Sequence, residues 1–346
     1  MNPMSMLVRA ACLTNYSEVA KAGGLDPAMM LASAGLGPNV ESEPDLLIPV
    51  ERVGHLLHES ALRARNEAFG LCMAESRRLS NLGAVGLLIR DQPTLRESLN
   101  VLVRYQLLLN GSLTLMLEEH ADLVVLREEV RAGKPLQPTR QRIELALGVM
   151  LRLMRQFLGA GWQPHRVHLG HPAPRDLRVH HRALGRRIEF DSDFNGIVCA
   201  LSDLDAPNPS ADPEMARYAA QLLAPAVPTR PARLPDDVRR AILLLLPSGR
   251  CTIDQVSRHL GLSKRTAQRL MAQQGWTFSS LLNDVRRELA TRHVLESHRP
   301  LTEVGLMLGF SAPSAFSRWY QAQFTCSARA ARSGRGARAA VASRGG

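Results

Sequence analysis

No two of the chain's five cysteines form a C-x-x-C pair. Cys12, Cys72, Cys199, Cys251 and Cys326 lie too far apart to indicate a disulfide framework or a zinc cluster, so reduced, mostly buried thiols are expected. No run reaches the eighteen or so apolar residues that a membrane span needs. MNPMSMLVRAACL lacks the apolar core of a signal peptide, so the expectation is a cytoplasmic protein without membrane partners. GxSxG, the P-loop and a strand-following GxGxxG are all missing, which removes the usual sequence handles for acyl transfer, nucleotide hydrolysis and dinucleotide chemistry; no cofactor is expected. What remains is a globular chain of 346 residues, 45% hydrophobic, long enough to bury a large core and to divide into two domains.

Charge is unevenly placed. From Arg230 onward there are nineteen Lys+Arg and seven Asp+Glu, a net of +12, whereas the residues before it hold twenty-four and twenty-five, a net of −1. A basic surplus confined to the C-terminal third is the electrostatic footprint of a phosphate-binding surface; the alternative is a solvated basic face without a partner. The closing ARSGRGARAAVASRGG, with Arg332, Arg335, Arg338 and Arg344, is rich enough in Gly, Ala and Ser to read as a disordered basic tail over 333–346.

The same third carries a repeat between Thr252 and Phe324. TIDQVSRHLGLSKRTAQRLM reads as a helix from about Thr252 to Leu260, a break at Gly261 and a second helix opening at the N-cap Ser263. Val256, Leu260 and Leu262 supply a common apolar face, and Gly261 takes the positive φ of a tight corner cheaply. Val304, Leu308, Gly309, Phe310 and Ser311 follow Val256, Leu260, Gly261, Leu262 and Ser263 by 48 positions, but Ser317-Arg318-Trp319 follow Gln268-Arg269-Leu270 by 49. The second turn is therefore one residue longer, and the unit is a pair of helix-turn-helix motifs. Between the copies, Leu281, Val285 and Leu289 at i, i+4, i+8 predict a single amphipathic helix, roughly 25 Å long at about 1.5 Å per residue. Lys264, Arg258, the amides near Thr252 and Thr302, and Ser311 at the second turn are the candidate phosphate contacts.

These residues resemble the AraC family of bacterial transcription regulators. The likeness runs from roughly Pro235 to Arg332 and rests on LS-x-RT-x-QRL, the linking helix, and GFS-x-x-SAFSRWY-x-x-F. FTCSARAAR departs from the family, with Thr325, Ala328 and Ala331 where its members usually carry Gly, Pro and Tyr. The resemblance implies an all-α, homeodomain-like double helix-turn-helix domain over 236–332 that binds double-stranded DNA. It aligns Arg265, Gln268 and Arg269 with base-reading positions of the first motif, and Ser314, Ser317 and Arg318 with those of the second. Arg and Gln pair well with guanine and adenine edges; for Arg318 a phosphate contact is the alternative. Gly261, Gly309 and Phe310 are the structural turn residues.

The first 223 residues read as an α+β domain with an antiparallel or mixed sheet. Asp26-Pro27 opens a short helix closed by Gly35, and Val53, Leu56, Leu57, Ser60 and Ala61 trace an amphipathic one. Thr94 and Glu97 form a capping box ahead of a helix to Leu109, and another spans about Leu82–Ile89; the first ninety residues are expected to be helical. SLTLMLEEH and ADLVVLREEV predict a hairpin, followed by a long helix from about Thr139 to Gly159, strands in RVHLGH, RRIEF and GIVCAL with a short helix among them, and a last helix to Leu223. APAVPTRPARLP then reads as a semi-rigid linker over 224–235. GLLIRDQPTLRESLNVLVRY, ELALGVMLRLMRQFLG and IEFDSDFNGIV are similar to the N-terminal domain of one AraC branch, which implies small-molecule effector sensing, homodimerisation and RNA polymerase as a further partner; the effector-binding residues are not identified.

Two constellations invite other readings. His165, His168, His171, His180 and His181 cluster in one stretch, but on a strand His168 and His171 point to opposite faces, and surface or packing histidines rather than metal ligands are expected. Glu118-Glu119 and Glu128-Glu129 read as solvated acids at strand ends. A DNA-repair methyl-accepting protein needs an activated cysteine in a metal cluster, and Cys12 and Cys72 have no such partners. A nonspecific nucleoid-associated binder has no need of two matched readers on a spacer. The expectation is a non-enzymatic, sequence-specific transcription factor.

Overall fold

Aspartate side-chain caps start two of the helices before residue 224. Asp26 accepts hydrogen bonds from the amides of Ala28 and Met29 and starts a helix with Pro27 at its first position, and Asp212 does the same for Glu214 and Met215 ahead of Pro213. In the computed structural model, which describes residues 6–130, 139–224, 234–246, 251–295 and 297–333, the chain divides into two units, Met1–Val227 and Pro228–Gly346. Residues 225–233 of the expected linker and 334–346 of the expected tail lie outside the described residues.

The first unit runs β1 (Leu7–Arg9), α1 (Tyr16–Ala22), α2 (Pro27–Ser33), β2 (Leu47–Pro49), α3 (Val50–Arg63), α4 (Phe69–Ala74), α5 (Ala84–Arg90), α6 (Leu95–Leu109), β3 (Leu113–His120), β4 (Leu123–Val130), α7 (Arg140–Leu158), β5 (Arg166–His168), α8 (Arg178–Leu184), β6 (Ile188–Glu189), β7 (Gly196–Ala200) and α9 (Pro213–Leu223). The hairpin β3–β4 is present, with His120 paired to Leu123 across a two-residue turn. The larger sheet has the order β3-β4-β7-β5-β6, antiparallel except for the β5–β6 pair, which makes it mixed. β1 and β2 form a second, two-stranded sheet within the segment expected to be wholly helical. Each is three residues long, too short to show a period of two.

Helix α7 joins two cores. Leu147, Leu151 and Met154 pack with Leu115, Leu126, Val167 and Ile197 of the sheet, while Leu145 joins Leu56, Leu57, Phe69 and Met73 of α3 and α4. Close approach to α4 requires glycine: a Cβ on Gly70 would lie 2.1 Å from the Gln141 carbonyl oxygen. Thr94 caps α6 through the Glu97 amide, but the Glu97 carboxylate meets the Thr94 hydroxyl rather than its backbone N–H, so only half of the expected capping box forms.

Several polar residues are placed differently from the expectation. Glu128 and Glu129 are buried, not solvated, because β4 lies between β3 and β7 and is covered on both faces. Glu118 is half-buried and Glu119 exposed. β5 ends at His168, so His171 lies beyond the strand. His171 and His180 are buried at the Glu144 carboxylate, with their Nε2 atoms 3.1 and 3.0 Å from Oε1. Burial would raise the Glu144 carboxyl, but the two imidazoles outweigh it and hold it at about 2. Burial pushes Glu128 up to about 8. All five cysteines are unpaired, and only Cys199 is fully buried; the other four are half-buried.

The second unit is all-helical among the described residues: α10 (Leu234–Leu245), α11 (Ile253–His259), α12 (Lys264–Gln273), α13 (Phe278–Leu295), α14 (Leu301–Met307), α15 (Pro313–Phe324) and α16 (Ala328–Arg332). Thr252 and Gln255 form a reciprocal capping box at α11, and Ser263 caps α12. α15 has Ala312 as N-cap with no side-chain bond, and Pro313 at its first position starts it instead. Thr325 ends α15 in the left-handed region, at φ 58°. Ser327 then caps α16 through the Ala330 amide.

Two predictions arise here. Thr325 is a β-branched residue held where glycine is preferred, so Thr325→Gly is expected to stabilise the C-terminal unit by about 1 kcal/mol, a rise of roughly 4–8 °C in its unfolding midpoint; calorimetry showing no change or a fall contradicts this. Glu128 binds a proton in the folded state up to about 8 but in the unfolded chain only near its ordinary 4.5. The native state thus holds the extra proton between those values, and stability falls as pH rises through them. Glu144, depressed rather than raised, titrates below that window. Glu128→Gln should match the parent near pH 5 and exceed it by about 3–5 kcal/mol above pH 8, as measured by denaturant midpoints; parallel pH profiles would contradict the burial of an uncompensated carboxyl.

Candidate nucleic-acid interface

The two motifs superimpose in sequence as the repeat requires. Helices α11 and α14 begin and end 48 positions apart, while α12 and α15 begin 49 apart at Lys264 and Pro313. Gly261 and Gly309 stand at φ 67° and 72°, so both corners use the left-handed conformation. Buried Val256, Ala267 and Met271 hold the first pair together, and buried Val304, Leu308, Phe316 and Tyr320 hold the second.

The faces left outward are those aligned with base reading. Arg265, Gln268 and Arg269 are exposed on α12 at i, i+3 and i+4, and Ser314, Ser317 and Arg318 are exposed on α15 with the same spacing. Arg265, Gln268, Arg269 and Arg318 have no intramolecular hydrogen bond or ion pair among the described residues. Other arginines of this unit are engaged: Arg239 with Glu288, Arg240 with Asp237, Arg287 with Asp284, and Arg332 with the carbonyl oxygens of Val294 and His293. The Ser317 hydroxyl donates to the Pro313 carbonyl at 2.9 Å, leaving its lone pairs as acceptors.

The phosphate candidates sit at the helix starts. Thr252 is the N-cap of α11, Thr302 lies in the first turn of α14, and both are exposed. Ser311 is exposed in the longer turn ahead of α15. Arg258 is exposed, with its Nε 3.3 Å from the Asp254 carbonyl oxygen. Lys264 is half-exposed and its ammonium donates to Asp254 Oδ2 at 3.0 Å, bridging α11 and α12. The apolar periodicity gave no sign of this pair, because the turn folds two polar faces together.

What fixes the two faces is α13. Leu281, Val285 and Leu289 are all buried, and eighteen residues span about 27 Å at 1.5 Å per residue. Arg286 donates from Nε to the Leu308 carbonyl at 2.9 Å and stacks its guanidinium 4.4 Å from the centre of the Phe310 ring. Trp319 donates from Nε1 to Asn283 Oδ1 at 3.2 Å. Helix α10 packs against α11, α12 and α13, and its Arg239 pairs with Glu288 of α13. Phe310 also packs against Phe316 and Trp319, so the turn residue joins the second motif's aromatic cluster.

Residues 24–208 match the family model described as the arabinose-binding domain of AraC transcription regulator, N-terminal, and residues 256–334 match a helix-turn-helix domain. The chain is similar to the HTH-type transcriptional regulator VirS of Mycobacterium tuberculosis, 27% identical over 320 residues that cover 91% of this chain and 93% of that protein. It is similar to the ornithine utilization regulator of Pseudomonas aeruginosa, 25% identical over 305 residues covering 86% and 88%. Among solved structures, the transcriptional regulator CdpR from Pseudomonas aeruginosa aligns with a TM-score of 0.46 and 19% identity over 92% of this chain and 98% of that one.

Proposed function

Because this chain belongs to the AraC family of transcription regulators, we propose that α12 and α15 read one asymmetric DNA site in successive major grooves while the N-terminal unit pairs two copies and senses an effector. The observation that carries the reading is the matched pair of outward faces, whose arginines and glutamine have no hydrogen bond or ion pair among the described residues. Arg265, Gln268 and Arg269 read the first groove, and Ser314, Ser317 and Arg318 the second. Thr252, Arg258, Lys264, Thr302 and Ser311 fix register on the phosphates. Residues 1–223 form the sensing and dimerisation domain, 224–235 the linker, 236–332 the DNA-binding domain and 333–346 a basic tail that adds nonspecific affinity.

Self-association is supported by an apolar stripe on α9, where Met215, Tyr218 and Leu222 are exposed at helical spacing. The protein acts in the cytoplasm, where its DNA is, and activation would run through RNA polymerase. No helix among the described residues is long and apolar enough to cross a membrane. A non-enzymatic role is supported by the thiols: burial pushes Cys12 and Cys251 up to about 11 and raises Cys72, the reverse of what a methyl-accepting nucleophile requires.

Two substitutions separate reading from positioning. Once the site is identified by sequencing retained genomic fragments, Gln268→Ala should relax preference at one or two base pairs, by about 1–3 kcal/mol each, with thermal stability unchanged. Lys264→Ala should weaken specific and random DNA alike and lower the salt slope by about one. Unaltered selectivity in a mismatch series for Gln268→Ala, or a Lys264→Ala loss restricted to the specific site, contradicts these assignments.

A further inference from the structure

The N-terminal unit contains a cavity of about 160 Å³ between α3, the start of β3 and α7, comparable to an engineered void of about 150 Å³ that takes up benzene. Its wall is aliphatic, with Val53, Leu102 and Val149 among the residues that face it, and its polar groups include Arg77, Arg142 and Glu128. Arg77 is buried and donates to the carbonyl oxygens of Ala11 and Cys12, its Nε has no partner, and no carboxylate pairs with it among the described residues. A buried cation without a countercharge is costly. The Cys12 thiol supplies none, since burial keeps it protonated to about 11. Arg142 donates to the Ser112 hydroxyl at 2.6 Å on the same wall. Glu128 is wholly buried, and neither carboxyl oxygen has a hydrogen-bond partner among the described residues.

We propose that this cavity binds a small organic acid as its anion, with the carboxylate at Arg77 and Arg142 and the hydrocarbon body among Val53, Leu102 and Val149. This rests on reading the N-terminal unit as the effector domain and names the class of effector. Charge selects the class: of the cations at the cavity, Arg9 is already paired with Asp45, whereas Arg77 has no carboxylate partner among the described residues. Glu128, uncharged up to about 8, does not repel an anion and offers an O–H donor. A ligand amine would instead have to ionise Glu128 while sharing the cavity with two guanidinium groups.

Calorimetric titration of the full-length protein near pH 7 tests this with benzoate, butyrate, hexanoate and octanoate, each against its matched alcohol and amine. At least one acid should bind, with a preference of about tenfold or more over its alcohol and amine. Val149→Trp, which fills the cavity, should weaken it by a similar factor while the far-ultraviolet circular dichroism stays native. Should that variant not fold, Ala146→Phe on the same wall replaces it. No acid bound at about 10 mM, equal binding of the alcohol, preference for the amine, or undiminished binding in the filled variant overturns the proposal. DNA retention by the same preparation distinguishes the failures: DNA bound without acid binding rejects the organic-acid site alone, whereas loss of specific DNA binding rejects the regulator reading itself.

Discussion

The C-terminal unit depends on α13 being shared. Two helix-turn-helix motifs of one chain are useful as a single reader only if their outward faces keep a fixed relation, and a helix is the stiffest link a short sequence can supply. Burial of Leu281, Val285 and Leu289 holds α13 in the body of the domain, but apolar packing is non-directional. Direction comes from the polar contacts at its flanks. Arg286 satisfies the carbonyl at the end of α14 and covers Phe310, and Asn283 accepts from Trp319. On the other side Glu288 pairs with Arg239 of α10, which itself packs on the first motif. These contacts spend the arginines of the interior on structure and leave Arg265, Arg269 and Arg318 outside.

The N-terminal unit follows a different logic. α7 is wedged between two apolar clusters and buries the charged residues Arg142 and Glu144. Glu144 gathers Arg140, His171 and His180 at its carboxylate and stays ionised. Elsewhere in the unit, Arg77 is buried beside a cavity with no carboxylate partner among the described residues, and Glu128 is buried there in its uncharged form. Structural ion pairs and unmet polar groups have different physical meanings. The first closes a core, whereas the second leaves free energy for something else to recover.

How far the sequence was readable depended on whether the deciding signal was local. The N-caps Asp26 and Ser263 and the turn glycines Gly261 and Gly309 are decided within four residues, and all stand as the sequence implies; Asp212 and Thr252 are caps of the same local kind that the sequence reading passed over. The 48- and 49-residue offsets showed the paired motifs because a repeat is itself a long-range signal. By contrast, β1 pairs with β2 across about forty residues with three residues each, and nothing in either segment announces its partner. Glu128-Glu129 looked solvated because alternation reports that a strand has two faces and not whether both are covered. The histidines were legible as a cluster, but Glu144, which gives two of them their role, lies 27 and 36 residues away on α7.

The central claim is that one chain presents two readers in fixed relation through α13. Hydroxyl-radical footprinting of the full-length protein on its retained site, repeated with about five base pairs inserted between the two protected segments, addresses it directly. A rigid reader protects two segments on one face of the duplex, about 10 base pairs apart, and the half-turn insertion abolishes protection of one of them and most of the affinity. Protection of a single segment, or two segments that follow the insertion with affinity intact, would contradict it.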